Sequence, residues 1–367
     1  MPTRVRSYSK INLGLAVGPM RSDGFHGLAT VYQTLALHDV VTVTAKRSAA
    51  MMITMSGDHP GVPLDSRNTA WKMIAGALKR MGLDAWVHVD IEKRLPVQGG
   101  MGAGSANAAA ALIGLERELN QVLMNDSRME LAAEVGSDVP LFLIGGTVLG
   151  VGRGEIVSEL PDLPRTHCVM ALPAVGVSTP QAFRDLDERM AAQTLTSGAA
   201  VDKLDELSRV LSAVFTTEVK EPGPSGISRT ASPAHGSEPS KGIGTAIDLA
   251  ETQGSQRACS LGWENTLLAL VRTGIENDFE EVAFSQHPFL RDIKRQLMGT
   301  ASSSFEEVSG NPAMYAGLSG SGSALFGLYK SEADALAAQH RVQSNGTQAI
   351  LTETLPRTEY WSGMFAE

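Results

Sequence analysis

Cysteine is nearly missing from this chain. The two present, Cys168 and Cys259, stand far apart, with no CxxC and no ordered Cys/His spacing. That argues against a structural zinc site and against a disulfide scaffold. A reducing cytoplasm is the expected compartment. Long hydrophobic runs are missing too. The longest, VPLFLIGGTVLGVG at 139–152, is too short and too rich in glycine to cross a bilayer. The opening MPTRVRSYSKINLGLAV has neither the apolar h-region nor the small-residue cleavage site of a secretory signal. An excess of positive charge is also lacking. The net charge is -9, so the whole molecule offers no electrostatic footprint for nucleic acid or an anionic membrane, although a local basic pocket stays open. The expectation is a soluble cytoplasmic protein with no nucleic-acid or membrane partner. There is no internal repeat.

What is present reads as alternating strands and helices over 367 residues, enough for two domains. VRSYSKINLGLAV and DVVTVTAKR have strand character. NTAWKMIAGALKRMG has helical apolar spacing and ends at glycine. AWVHVDIEKRLP alternates and stops at Pro96, and the helix SANAAAALIGLERELN follows a glycine-rich loop. A short helix, a turn and an apolar strand complete an α/β unit assigned to residues 1–160. A second, α+β unit is assigned to 161–355, and 356–367 to a tail. Within the second unit, residues of about 219–262 are dense in Pro, Gly and Ser (EPGPSGISRTASPAHGSEPSKG). Such a segment buries little apolar surface and is expected to be a flexible surface insertion.

Between the strand ending near Pro96 and its following helix stand Gly99, Gly100, Gly102 and Gly104. Walker A is excluded, because the chain has no Gly-Lys dipeptide. The Rossmann fingerprint fails as well, since Ser105 or Asn107 stands where its third Gly or Ala belongs. The nucleophile elbow G-x-S-x-G is absent here and around Ser319–Ser323. Two readings stay open. Glycines give backbone N–H groups close access to an anion at a helix N-terminus, or they make a tight turn with close packing. Ser105 is expected where the helix begins, to cap it or to face a metal–phosphate.

The context favours the first reading. The segment from Pro96 through Gly99, Gly100, Met101, Gly102, Ala103, Gly104, Ser105, Ala106 and Asn107 resembles the second motif of the GHMP small-molecule kinases. Lys10-Ile11-Asn12-Leu13-Gly14-Leu15 resembles the first motif, and Gly317-Leu318-Ser319-Gly320-Ser321-Gly322-Ser323-Ala324 the third. Each motif alone is weak; three in order are strong. SKINLGLAVGPMRSDGFHGL, AAEVGSDVPLFLIGGTVLGVGRGE and ENDFE resemble one branch, which phosphorylates the 2-hydroxyl of methylerythritol conjugated to cytidine diphosphate, in the methylerythritol phosphate route to isoprenoids. The resemblance covers about residues 6–185 and 263–350.

It implies a two-domain fold, α/β plus α+β, with the active site in the interdomain cleft, and ATP and Mg2+ as co-reactants. Lys10 and Asp138 take the catalytic positions. A carboxylate beside an alcohol accepts its proton as the O–P bond forms, and a nearby ammonium favours the charged carboxylate or steadies the transferred phosphoryl group. The loop Gly100–Asn107 holds the ATP phosphates, with Ser105 as the candidate magnesium contact. The family's second serine is replaced by Ala106. Asn68 contacts adenine or caps a helix, and Lys93 lines that pocket or is solvated. Asn12 and His26 position the substrate or read the cytosine edge. Phe25 and Phe183 sandwich the base, with core packing the alternative for both. The family usually has Tyr where Phe25 stands, so stacking is kept and a hydroxyl lost. Ser319, Gly320, Ser321 and Gly322 close the site, and Asp278 is read as structural. The alternatives are another GHMP kinase, acting on homoserine or mevalonate, and a non-catalytic nucleotide sensor, which intact Lys10 and Asp138 argue against. Monomer and homodimer both remain open.

Overall fold

The computed structural model describes residues 1–21, 24–97, 99–197, 276–299 and 311–367. The expected insertion at about 219–262 and Cys259 lie outside the described residues.

The first sheet is built on two long strands, β1 (Thr3–Met20) and β2 (His26–Arg47). They pair antiparallel over nearly their whole length. The other edge of β2 is shared, with β4 (Ala85–Glu92) along Val40–Arg47 and β5 (Thr147–Gly152) along Leu28–Gln33. β3 (Met52–Gly57) lies parallel to β4, and β6 (Ile156–Glu159) completes the sheet beside β5.

The parallel β3–β4 pair needs a crossover, which α1 (Thr69–Met81) supplies. Its buried Ala70, Met73, Ile74, Ala77 and Leu78 fall on one helical face. Asn68 caps its start, and Gly82 closes it in the left-handed conformation with its N–H on the Leu78 carbonyl. The second helix, α2 (Ala103–Leu119), packs on β1, β2 and α1. It is enclosed on almost every side, which its alanines permit. At Gly114 the sheet comes so close that a Cβ would stand 2.6 Å from Val43 Cγ2. Next come α3 (Asn125–Val135) and a 3-10 turn over Pro140–Leu143.

The second sheet runs β10 (Gln348–Glu353), β7 (His167–Leu172), β9 (Leu325–Tyr329), β8 (Tyr315–Leu318), all antiparallel. Helices α6 (Phe289–Met298) and α7 (Glu332–Ser344) pack on it, while α4 (Thr179–Ser197) packs against α5 (Phe279–Gln286). The mixed α/β and α+β class read from the sequence is the class observed. Residues 356–367, expected as a tail, instead fold back onto the first sheet. There α8 (Arg357–Ser362) places Tyr360 in the first core, and Arg6 N donates to Met364 O at 2.8 Å.

β1 joins the cores. Val5 and Tyr8 belong to the first, Ile11 and Leu13 to a central cluster, and Leu15 and Val17 to the second. β1 is buried on both faces from Ser7 to Gly18, and only Pro19 and Met20 at its end are exposed. It runs between two layers there, so both faces meet protein.

Candidate active site

A cavity of about 800 Å³ opens where β1, the glycine loop and the second sheet meet. Register shifts in the β1–β2 pairing fall between Tyr8 and Lys10 and between Asn12 and Gly14. Lys10 and Asn12 thus sit between two irregularities, on one face, with Asn12 opposite Tyr32.

Lys10 is 3% exposed, and its Nζ lies 3.5 Å from Asp138 Oδ2. It donates to Asn12 Oδ1 at 2.6 Å, and Asn12 Nδ2 donates in turn to Thr30 Oγ1 at 2.8 Å. A buried ammonium needs such partners to offset its lost hydration. Asp138, just before the 3-10 turn, keeps 31% of its side chain exposed. Tyr32 donates its hydroxyl to Asp138 Oδ1 at 3.0 Å, and Lys10 Nζ stands 5.5 Å from the centre of the Tyr32 ring. Burial, and then the Asp138 charge, push the Tyr32 phenol well above its ordinary value, so it is a neutral donor. The carboxylate therefore has one oxygen tied and one facing an ammonium beside open space. Such a group can take a proton from an alcohol.

The glycine loop has two kinds of glycine. Gly100 and Gly102 are left-handed, at φ 73° and 71°. A Cβ on Gly100 would stand 2.1 Å from Ser319 O, and one on Gly102 2.9 Å from the Phe142 ring and 3.1 Å from Lys10 Cγ. These two serve close packing as well as a turn. Gly104 is exposed, and a Cβ there would meet only Thr69 Oγ1, at 3.7 Å. Helix α2 begins at Ala103 with Gly102 as its N-cap and no side-chain cap. Its first N–H groups and the positive end of its dipole are left for an anion.

Three expectations about this loop change. Ser105 does not cap the helix; it stands inside the first turn. Ala106 is 2% exposed and packs in the first core. Asn107 accepts a hydrogen bond from Ser7 Oγ at 2.6 Å and does not line the cavity. Met101 is buried, and its carbonyl accepts from Lys10 N at 3.0 Å, which ties the loop to β1.

The second loop is pinned to the first. Ser319 Oγ donates to Gly100 O at 2.9 Å, and Asn277 Nδ2 donates to Leu318 O and Gly320 O at 2.9 and 2.6 Å. Gly320, Ser321 and Gly322 line the cavity, while Ser319 is wholly buried behind it. Asp278 accepts from Val17 N at 2.8 Å, an anchor between the two halves.

At the far end of the cavity His26 stacks on Phe183, with centroids 5.1 Å apart and planes 18° apart. Phe183 meets Phe279 edge-on at 4.9 Å. His26 Nδ1 is 3.0 Å from Gly18 O, and its Nε2 is 3.3 Å from Asp187 Oδ2. Both ring nitrogens thus face acceptors, so in this state the ring is held by the protein. Phe25 is half exposed, with the Arg153 guanidinium 5.0 Å from its ring centre.

Ala103, Gly104 and Ser105 stand just beyond Gly102, outside the cavity lining, and four further expected residues lie away from it. Asn68 accepts from Ala70 N at 2.9 Å and donates to Pro63 O at 2.7 Å, so capping has claimed its side chain. Lys93 forms a buried ion pair with Asp39, which also accepts from the Arg94 and Leu95 backbones. Pro96 and Gly99 line a smaller neighbouring pocket of about 280 Å³. Conversely, Tyr32, Arg153 and Thr179 line the main cavity and were not singled out. Tyr32 carried no local sequence signal; its place opposite Asn12 emerges only from the strand pairing. Thr179 shares a 2.7 Å hydrogen bond with Ser321.

Residues 68–146 match the family profile described as GHMP kinases N terminal domain, and residues 264–348 that described as GHMP kinases C terminal. An Arthrobacter sp. (strain FB24) protein named 4-diphosphocytidyl-2-C-methyl-D-erythritol kinase is 38% identical over 226 residues, 57% of this chain and 71% of that protein. The chain belongs to the GHMP kinases. Other relatives of this GHMP kinase bear the same name. The one from Salinispora tropica is 40% identical over 58% of this chain and 66% of its own length. That from Rhodococcus jostii is 45% identical over 51% and 60%. The chain thus spans just under two thirds, or less, of these two relatives. Among solved structures, a 4-(cytidine 5'-diphospho)-2C-methyl-D-erythritol kinase superposes with a TM-score of 0.60 at 23% identity, covering 96% of this chain and 98% of that one. A homoserine kinase from Cytophaga hutchinsonii reaches 0.59 at 15% identity, covering 97% and 95%. These two likenesses show the shared fold. The family resemblance read from three motifs is borne out, and the curated relatives bear the name of the branch those motifs suggested.

Proposed function

We propose that this GHMP kinase transfers the γ-phosphoryl group of ATP to the 2-hydroxyl of 4-diphosphocytidyl-2-C-methyl-D-erythritol, in the methylerythritol phosphate route to isoprenoid precursors. The reading rests on one observation above the others: Lys10 and Asp138, 3.5 Å apart, face a cavity that also reaches the uncapped start of α2. The relatives' names supply the substrate.

In this reading Asp138 Oδ2 accepts the proton of the 2-hydroxyl as its oxygen bonds to the γ-phosphorus, and ADP leaves in line. No covalent enzyme intermediate is needed. The Lys10 ammonium balances charge on the phosphoryl oxygens, so catalysis is chiefly positioning and electrostatics. The first N–H groups of α2 hold the ATP phosphates. Among the described residues no three His, Cys, Asp or Glu side chains cluster as a metal cage. Magnesium would arrive with the nucleotide, and Ser105 is the one hydroxyl in that first turn to meet it. The cytosine inserts beside Phe183 and His26, with Phe25 closing over it. We assign residues 1–160 to the nucleotide-binding unit and 161–355 to its partner. Among the described residues no helix is long and apolar enough to cross a membrane, and we assign the enzyme to the cytoplasm, as monomer or homodimer.

A coupled ADP-release assay with the cytidyl substrate, homoserine and mevalonate tests the substrate. Turnover of the first alone is expected, and none with it would sink the reading. Asp138→Ala should keep ATP binding and slow transfer by at least ~100-fold.

A further inference from the structure

We infer that Tyr32 is a positioning residue: its hydroxyl fixes one oxygen of the Asp138 carboxylate so that the other, facing Lys10, meets the substrate hydroxyl. The inference rests on the proposed base role of Asp138.

The carboxylate needs direction from somewhere. Asp138 sits in a turn and is a third exposed. Lys10, at 3.5 Å, is beyond ordinary hydrogen-bond length and supplies charge more than aim. Among the described residues, the hydroxyl of Tyr32 makes the one hydrogen bond to that carboxylate, at 3.0 Å to Oδ1. A bond to Oδ1 weakens it as an acceptor and leaves Oδ2 as the free one.

Tyr32 is itself held in place. It is 2% exposed and pairs across the strands with Asn12, whose side chain holds Lys10. β5 and its turn to β6 make a slot for it. A Cβ on Gly150 would stand 2.5 Å from Tyr32 Cε2, and a Cβ on Gly154 2.5 Å from its hydroxyl oxygen. Gly154 is also left-handed, at φ 100°. A side chain at either position would displace the ring or its hydroxyl. Burial and the neighbouring carboxylate keep the phenol protonated, so it donates and does not itself accept the proton. The proton balance is simple. The substrate hydroxyl proton goes to Oδ2, the new O–P bond forms, the bond from γ-phosphorus to the ADP oxygen breaks, and the Tyr32 proton stays on Tyr32.

The test is a double-mutant cycle on the full chain: Tyr32→Phe, Asp138→Ala and both together, with ATP and the cytidyl substrate varied. Tyr32→Phe should lower kcat about tenfold, leave both KM values within about twofold and melt like the parent. In the Asp138→Ala background the same change should move kcat less than about twofold, because the group it positions is gone. A Tyr32→Phe enzyme with parental kcat, a loss carried by KM, or an equal fall in both backgrounds would overturn the inference. If Tyr32→Phe melts early, the split between kcat and KM, read well below its midpoint, still decides. Parental turnover in Asp138→Ala would overturn the base role and this inference together. A crippled Asp138→Ala beside an unaffected Tyr32→Phe would overturn the inference alone.

Discussion

Gly104→Ala adds a methyl group to the first turn of α2, where the free protein has room for it. The nearest atom to that methyl is Thr69 Oγ1, at 3.7 Å, an ordinary contact. Alanine is also the better helix former by about 0.8–1 kcal/mol. On packing alone the variant should therefore melt at the parental temperature or slightly above. If phosphates come to the N–H groups of this turn, the methyl blocks their approach. Losing one hydrogen bond to a charged oxygen costs about 1.5–3 kcal/mol, which is a rise in ATP KM of roughly 10- to 150-fold. Gly100→Ala should behave differently. Its Cβ would stand 2.1 Å from Ser319 O, where contacts under 3.0 Å essentially never occur, and the residue is left-handed. The conformation costs about 1–2 kcal/mol for a side chain, and the two loops must also move apart. A shift of about 1 Å at the reacting groups can cost ~100-fold in rate, so this variant should lose both melting temperature and kcat. Thermal melts and ADP release over a range of ATP read both variants. Parental ATP KM in Gly104→Ala would refute phosphate contact at that turn and leave packing as the loop's whole purpose.

Two residues first assigned to the nucleotide pocket should prove structural. Lys93→Ala leaves Asp39 buried without its partner and should cost about 3–5 kcal/mol in denaturant unfolding, with ATP KM near the parental value. Asn68→Ala should cost about 1 kcal/mol as a lost helix cap; a raised ATP KM with an unchanged melt would instead restore the adenine contact. All five tyrosines have phenols raised above the ordinary 10.0, chiefly by burial. The folded chain thus binds these protons more tightly than the unfolded chain. Their contribution to stability is complete below about pH 10 and falls as pH rises further. Absorbance at the phenolate band should stay flat to pH 10 in the native protein and rise there in denaturant.

The parts of the site that were legible in sequence are those whose chemistry is local. Glycine spacing marks the loops, and a Lys-x-Asn on a strand and an Asp after Gly-Ser mark the reacting groups. The strand and helix cores of the first unit were legible for the same reason, since periodicity and the Asn68 and Gly82 ends of α1 are local signals. What was not legible depends on partners far along the chain. Lys93 and Asn107 are polar and near the nucleotide loop in sequence. Their roles were decided by Asp39 and Ser7, which lie 54 and 100 residues away. Tyr32 bears no local mark of a role until its hydroxyl meets Asp138, 106 residues on. The early part of β2, from His26 to His38, was also missed. Its burial comes from β1 and β5 pairing on either side, not from an alternation of its own.

The placement of fixed and open groups makes sense for phosphoryl transfer, where rate depends on geometry more than on any one strong acid or base. At the floor, the groups around the reacting pair are tied within each half of the chain and, through Ser319 and Asp278, between the halves. Gly100 is bonded to Ser319, Lys10 to Met101 and Asn12, and Asn277 to Gly320. Val17 and Leu15 are bonded to Asp278. Motion between the sheets would break several of these bonds at once. At the mouth Phe25 is half exposed with Arg153 over its ring, and Gly24 beside it is left-handed with open space where a Cβ would stand. Under the proposed function, binding energy gained at the cytosine end is available for holding the far hydroxyl still against Asp138.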